Sequence, residues 1–136
     1  MPNFNSPVGR AAKKLLNSET IIWLTTVGSD LTPQPRPVWF VPDGDDVLIY
    51  SQPKAAKLAH IRQHASVALH FNADQWGSDE TVVVLTGTAT LEPDKGPLLS
   101  AYVKKYKKDI AELGMTPEQF AASYSVPIRV EVTGAR

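Results

Sequence analysis

The chain has 136 residues, 43% of them apolar, with 14 basic and 14 acidic side chains and a formal net charge of zero. That length and apolar content suit one globular domain around one core and argue against disorder. Neutral charge is unlike a general nucleic-acid binder, and the absence of cysteine excludes disulfides, thiolate nucleophiles and cysteine-ligated metals.

Residues 8 to 17 read as a helix, with Ala11, Leu15 and Leu16 roughly on one face. "ETIIWLTTV", residues 19 to 27, is β-branched and aromatic and reads as the first strand. "GSDLTPQ" is turn chemistry. "PRPVWFVP" is the second strand, and Pro35 and Pro37 predict an edge or an irregular start. "DGDD" marks a turn into the third strand, "VLIYS". A short helix is expected from about residue 53 to 64, with Leu58, Ile61 and Ala65 as its core stripe. "SVALHF" is the fourth strand and "NADQWGSDE" a loop. "TVVVLTGTATLE" is the fifth strand, with Gly87 a bulge or a point of close approach. A helix follows over about 96 to 113. Thr116 and Pro117 then open a short one as N-cap and first helical residue. "PIRVEV" is the sixth strand.

Three strands in succession do not alternate with helices as βαβ units do. The expected architecture is therefore mainly β, a six-stranded antiparallel barrel with peripheral helices, residues 1–136 forming a single domain. No apolar run approaches the ~20 residues that span a bilayer. The N-terminus also lacks a signal peptide's charged-then-apolar order. A soluble, cytoplasmic protein with neither a membrane nor nucleic acid as partner is the expectation.

Lys54 and Lys57 raise a physical question. Both fall in what reads as the first turn of the third strand's following helix, where the helix dipole disfavours cations. An anion between the lysines and the free amides resolves the conflict, so the pattern predicts a phosphate site, with Ser51 adding a hydroxyl donor. Solvated surface lysines are the alternative reading.

The runs "LTTVGSDLTPQPRPVWFV", "IYSQPKAAKL" and "VVVLTGTATLEPD" resemble the flavin and deazaflavin oxidoreductases, split β-barrel proteins related to pyridoxamine 5′-phosphate oxidase. The likeness spans about residues 10 to 132 and is greatest to small actinobacterial members that use coenzyme F420. It implies a homodimer with cofactor sites at the subunit interface. Val38, Trp39 and Phe40 would lie along the cofactor rings, with Thr26, and more weakly Thr25, on the next strand. Tyr50 and Ser51 match the family's Tyr-Thr pair, and Lys57 its phosphate-binding lysine. Ala56 stands where the oxidases carry an arginine, so Lys54 would supply that charge. The oxidases' C-terminal Arg-Leu-x-Pro signature is missing from "VEVTGAR". The implied function is an F420-dependent reductase acting on a small activated C=C, C=N or quinone-like compound. FMN as cofactor, in an oxidoreductase or flavin reductase, is the first alternative. A non-catalytic carrier of F420 or another ligand is the second. Trp76 and Arg129 are the residues offered as contributions from the partner chain.

His60 and His64 share a helical face, but no third ligand is evident, so ordinary histidines are expected there. "KKYKKD" reads as a solvated helix face, with Tyr102, Val103 and Tyr106 packing inward or beside it.

Overall fold

The computed structural model describes residues 3–92 and 98–136. In chain order the elements are α1 (Pro7–Ser18), β1 (Ile22–Val27), β2 (Pro33–Val38), β3 (Val41–Asp43) and β4 (Asp46–Ser51). Then come α2 (Ala56–Gln63), β5 (Ser66–His70), β6 (Val84–Leu91), α3 (Ser100–Glu112), α4 (Pro117–Ser123) and β7 (Val126–Ala135). The strands form one antiparallel sheet in the order β2-β1-β5-β6-β7-β4-β3. No described helix is long and apolar enough to cross a membrane.

That order forces curvature. β2 and β3 are the two outer strands, yet only Trp39 and Phe40 separate them in the chain. Three residue steps reach at most about 11 Å. Laid flat, the sheet's two outer strands would stand about 29 Å apart. The sheet therefore curls until its edges approach, giving a barrel left open between β2 and β3.

The break also corrects the strand count. "PRPVWFVP" is two strands rather than one, so the sheet has 7 strands instead of six. Pro33, Pro35 and Pro37 share one parity, and a proline donates nothing to a ladder. Their positions fit only the outward-facing edge of β2, as their spacing predicted. Gly87 behaves as expected too: the register shifts between Thr86 and Gly87, and a Cβ there would meet the Glu131 carbonyl at 2.5 Å. Thr116 caps α4 in a full capping box with Gln119.

Two helix boundaries differ from expectation. Pro53 and Lys54 sit in a turn closed by the Ala55 N–H on the Gln52 carbonyl, and α2 starts only at Ala56. Proline suits the second position of such a turn. α2 stops at Gln63, leaving Ala65 exposed with its carbonyl taking the Ala89 N–H. α3 runs from Ser100 to Glu112, and the expected start near residue 96 lies outside the described residues.

Two apolar clusters hold these layers. The barrel interior packs Ile22, Leu24, Phe40, Val47, Ile49 and Leu85 with Leu58 and Ile61 of α2. Outside it, Leu48 and Tyr50 on the other face of β4 pack on Tyr102, Tyr106 and Ile110 of α3 and Phe120 of α4. β4 is thus buried on both faces. Arg129 of β7 ties this region together through Glu92 at 2.7 Å, Asp43 at 3.0 Å and Asp46 at 3.3 Å.

Phe40, where the chain crosses between sheet edges, lacks a ladder partner. α3 supplies one. The Tyr106 hydroxyl accepts the Phe40 N–H at 2.9 Å, and its own proton can go to the Thr20 carbonyl at 2.7 Å. Lys105 Nζ donates to the Phe40 carbonyl at 2.9 Å and lies 3.6 Å from the Phe40 ring centroid. Burial pushes the Tyr106 hydroxyl up to about 12 and the Lys105 ammonium down to about 8.

Tyr106→Phe keeps the packed ring but strands the Phe40 N–H. A loss of about 1–3 kcal/mol in urea unfolding is expected; an unchanged midpoint would mean that the crossing is held elsewhere. Lys105 adds a pH signature. Between about pH 8 and its ordinary value of 10.5 the unfolded chain binds the extra proton, so this group raises stability as pH rises. Lys105→Met is expected to flatten that rise.

Candidate functional site

A cleft of about 330 Å³ opens where β2 ends. Pro37, Val38 and Trp39 form one side, and Tyr50, Ser51 and Gln52 at the end of β4 another. Ala55 and Lys57 come from α2, while Tyr102, Leu113, Phe120 and Tyr124 come from the α3–α4 layer. The wall is therefore aromatic and apolar, with polar groups gathered at the α2 end. A second cleft holds Asp43, Glu92 and Arg129, but these three already satisfy one another.

The aromatic wall is rigidly built. Trp39 stacks on Tyr106, centroids 4.6 Å apart and rings 5° from parallel, and on Phe120 at 5.6 Å. Phe120 stacks on Tyr124 at 4.3 Å, and Tyr50 meets Tyr102 edge-on at 4.7 Å. The Tyr50 hydroxyl accepts the Leu99 N–H at 2.8 Å, and burial raises its pKa. Such stacked rings present a flat apolar surface that suits a planar heterocycle.

Lys57 is half-buried, and no described residue pairs with it in a salt bridge. Its pKa is lowered, first by burial and then by the Arg36 guanidinium. Arg36 is exposed and donates to its own neighbour, the Pro35 carbonyl, at 2.7 Å. Ala55 gives α2 no side-chain cap, so the first amides of the helix add to the positive field. Two cations and a helix start without a described carboxylate among them give this end of the cleft a positive field.

The expected site residues divide. Val38, Trp39, Tyr50, Ser51 and Lys57 all line the cleft. Strict alternation would have kept Val38 and Trp39 apart, but β2 ends at Val38, so both reach it. Phe40 is a correction: it is fully buried in the barrel core, its N–H and carbonyl taken by Tyr106 and Lys105. Thr26 is buried too, its hydroxyl 2.9 Å from His60 Nδ1, away from the cleft. Lys54 is exposed and outside the cleft, because it belongs to the turn before α2. The Ser51 hydroxyl donates to the Gln52 carbonyl at 3.0 Å, so as placed it turns lone pairs, not a donor, to the cleft. Arg129 is held by three carboxylates within its own chain.

Arg36 is the residue the sequence reading missed. Antiparallel pairing sets it opposite Leu24, whose side chain points into the barrel, so Arg36 stands on the inner face at the open edge. An arginine between two prolines on a predicted edge strand was the available signal.

The pyridoxamine 5′-phosphate oxidase family matches residues 8–134. The chain belongs to that family. Its fold is shared with a candidate pyridoxamine 5′-phosphate oxidase from Listeria innocua, 22% identical, TM-score 0.66, over 93% of this chain and 96% of that one. An F420 reductase is 23% identical at TM-score 0.66, covering 91% and 94%. The haem storage protein HutZ from Vibrio cholerae is 10% identical at TM-score 0.64, covering 96% and 94%. No curated protein matches the sequence. At these identities the structural likenesses establish the fold, which is a flavin-type split barrel serving more than one function.

The lowered Lys57 pKa has a measurable consequence. Sulfate keeps a constant charge over the alkaline range, so its affinity is expected to fall as pH rises and Lys57 gives up its proton. Lys57→Arg should hold that affinity flat, as followed by tryptophan fluorescence.

Proposed function

We propose that this protein is an F420-dependent oxidoreductase that works as a homodimer on a small organic substrate. The observation that carries the reading is the half-buried Lys57 beside Arg36, without a described carboxylate, at one end of an aromatic cleft. Phosphate at one end and a planar ring at the other is the shape of a flavin or deazaflavin. Lys54, exposed in the turn just before α2, is a further cation beyond the Lys57–Arg36 pair. An anionic tail beyond the phosphate, present in F420 and absent in FMN, would use it.

When bound, the deazaflavin supplies hydride transfer, and the protein supplies binding and orientation. Lys57 and Arg36 would hold the phosphate, with the α2 amides behind them. Val38, Trp39, Tyr50 and Tyr124 would enclose the rings and exclude water. Among the described lining residues, the hydroxyls of Tyr50, Tyr102 and Tyr124 are the neutral proton carriers. Tyr102 and Tyr50 are pushed up by burial, which keeps them protonated at neutral pH.

The test is a titration of the purified protein with F420 and, separately, with FMN, read by tryptophan fluorescence. Tight F420 and weak FMN binding is expected, with Lys57→Ala weakening F420 by about 1.5–3 kcal/mol. Tight FMN binding alone would move the protein to the flavin branch. Binding without reduction of any activated alkene, imine or quinone would make it a carrier.

A further inference from the structure

Tyr102 and Tyr106 stand about one helical turn apart on the same face of α3, and both are buried. Their hydroxyls have opposite fates. The Tyr106 hydroxyl is engaged by the Phe40 N–H at 2.9 Å and the Thr20 carbonyl at 2.7 Å. The Tyr102 hydroxyl has no hydrogen-bond partner among the described residues. Yet no fully buried polar side-chain atom among them is left without a partner. The Tyr102 hydroxyl therefore reaches open space, although the residue as a whole is only 1% exposed. The open space that Tyr102 lines is the aromatic cleft.

The ring is held on three sides, by Tyr50 at 4.7 Å, Tyr106 at 4.9 Å and Phe120 at 6.1 Å between centroids. The hydroxyl cannot swing to another partner without moving that wall. Burial raises its pKa, so at neutral pH it stays a neutral donor. The other hydroxyls of the cleft are less available. Tyr50 already takes the Leu99 N–H, Ser51 donates to the Gln52 carbonyl, and Tyr124 is only half-buried.

Water can serve the Tyr102 hydroxyl while the cleft is empty. A flat ligand pressed against the wall displaces that water. A carbonyl oxygen on the ligand replaces the lost bond, whereas a bare hydrocarbon strands a phenol in an apolar wall.

We propose that Tyr102 is the specificity-determining donor of this cleft, and that the ligand it selects is a planar compound with a neutral carbonyl oxygen. Recognition then has two points: Lys57 takes the anion at one end, and Tyr102 takes the carbonyl at the α3 wall. The inference rests on the reading of the cleft as a ligand site and deepens it by naming the group recognised there.

The test uses the full chain without cofactor. Ligand-observed NMR compares indanone, a planar ketone, with indane, its parent hydrocarbon of nearly the same shape, on wild type and Tyr102→Phe. The ketone is expected to bind the variant several-fold to about tenfold more weakly, while indane binds it as well or better. The urea midpoint is expected to hold or rise, because the variant removes a hydroxyl that serves no partner in the chain, the opposite of Tyr106→Phe. An equal effect on both probes, a lowered midpoint, or a wild-type cleft that takes neither probe overturns the proposal. Titrating the same variant with F420 and FMN assigns the oxygen. A matching loss places it on the cofactor ring, and unchanged affinity places it on the substrate. Wild-type protein that binds neither cofactor but keeps its Tyr102-dependent preference for the ketone removes the F420 reading and leaves this role standing.

Discussion

The structure depends on a two-residue crossing. Because Trp39 and Phe40 join the two outer strands of the sheet, the sheet has no flat solution, and curling is obligatory rather than favoured. The crossing costs Phe40 its ladder partners. A buried N–H or carbonyl left unpaired costs about 1–3 kcal/mol. Tyr106 and Lys105 remove that cost from α3, so a helix remote in sequence is what makes the barrel closable. The same break frees Val38 and Trp39 from strand alternation. The site is thus a by-product of the closure: the cleft lies where the ladder cannot continue.

Electrostatics supports reading that cleft as an anion site and not as a core defect. A lysine sheltered from water usually recruits a carboxylate, because an unpaired charge is costly to bury. Arg129 shows this chain doing so, with three acids on one guanidinium. Lys57 has instead a second cation beside it and an uncapped helix start beneath it. The arrangement is unfavourable alone and becomes favourable once an anion arrives, which is how a protein stores affinity for a charged ligand.

Local signals were legible in the sequence and long-range ones were not. The prolines of β2, the bulge at Gly87 and the cap at Thr116 are each decided by a residue's own backbone chemistry. Lys57 was readable because its oddity is local, a cation at a helix start. The break inside "PRPVWFVP" was not, since nothing in those residues announces that Tyr106 waits 66 positions later. Lys54 was misplaced by one turn, because Pro53 fits a helix start and a β-turn equally well. Arg36 was missed because its place near Lys57 depends on its register opposite Leu24, which is not visible along the chain.

The family relation fixes the barrel, and the barrel alone does not choose a cofactor, since haem storage and F420 reduction occupy similar folds. What chooses is the site's own chemistry. An axial histidine is a common haem ligand, and no described residue lining the cleft is a histidine. The lining offers rings, hydroxyls and one half-buried ammonium, a set suited to a phosphorylated planar ring whose own atoms carry the electrons. Selectivity between two such rings then falls to whatever lies beyond the phosphate. A long anionic tail would call for a cation beyond the Lys57–Arg36 pair, and exposed Lys54, in the turn before α2, is the candidate in the F420 reading.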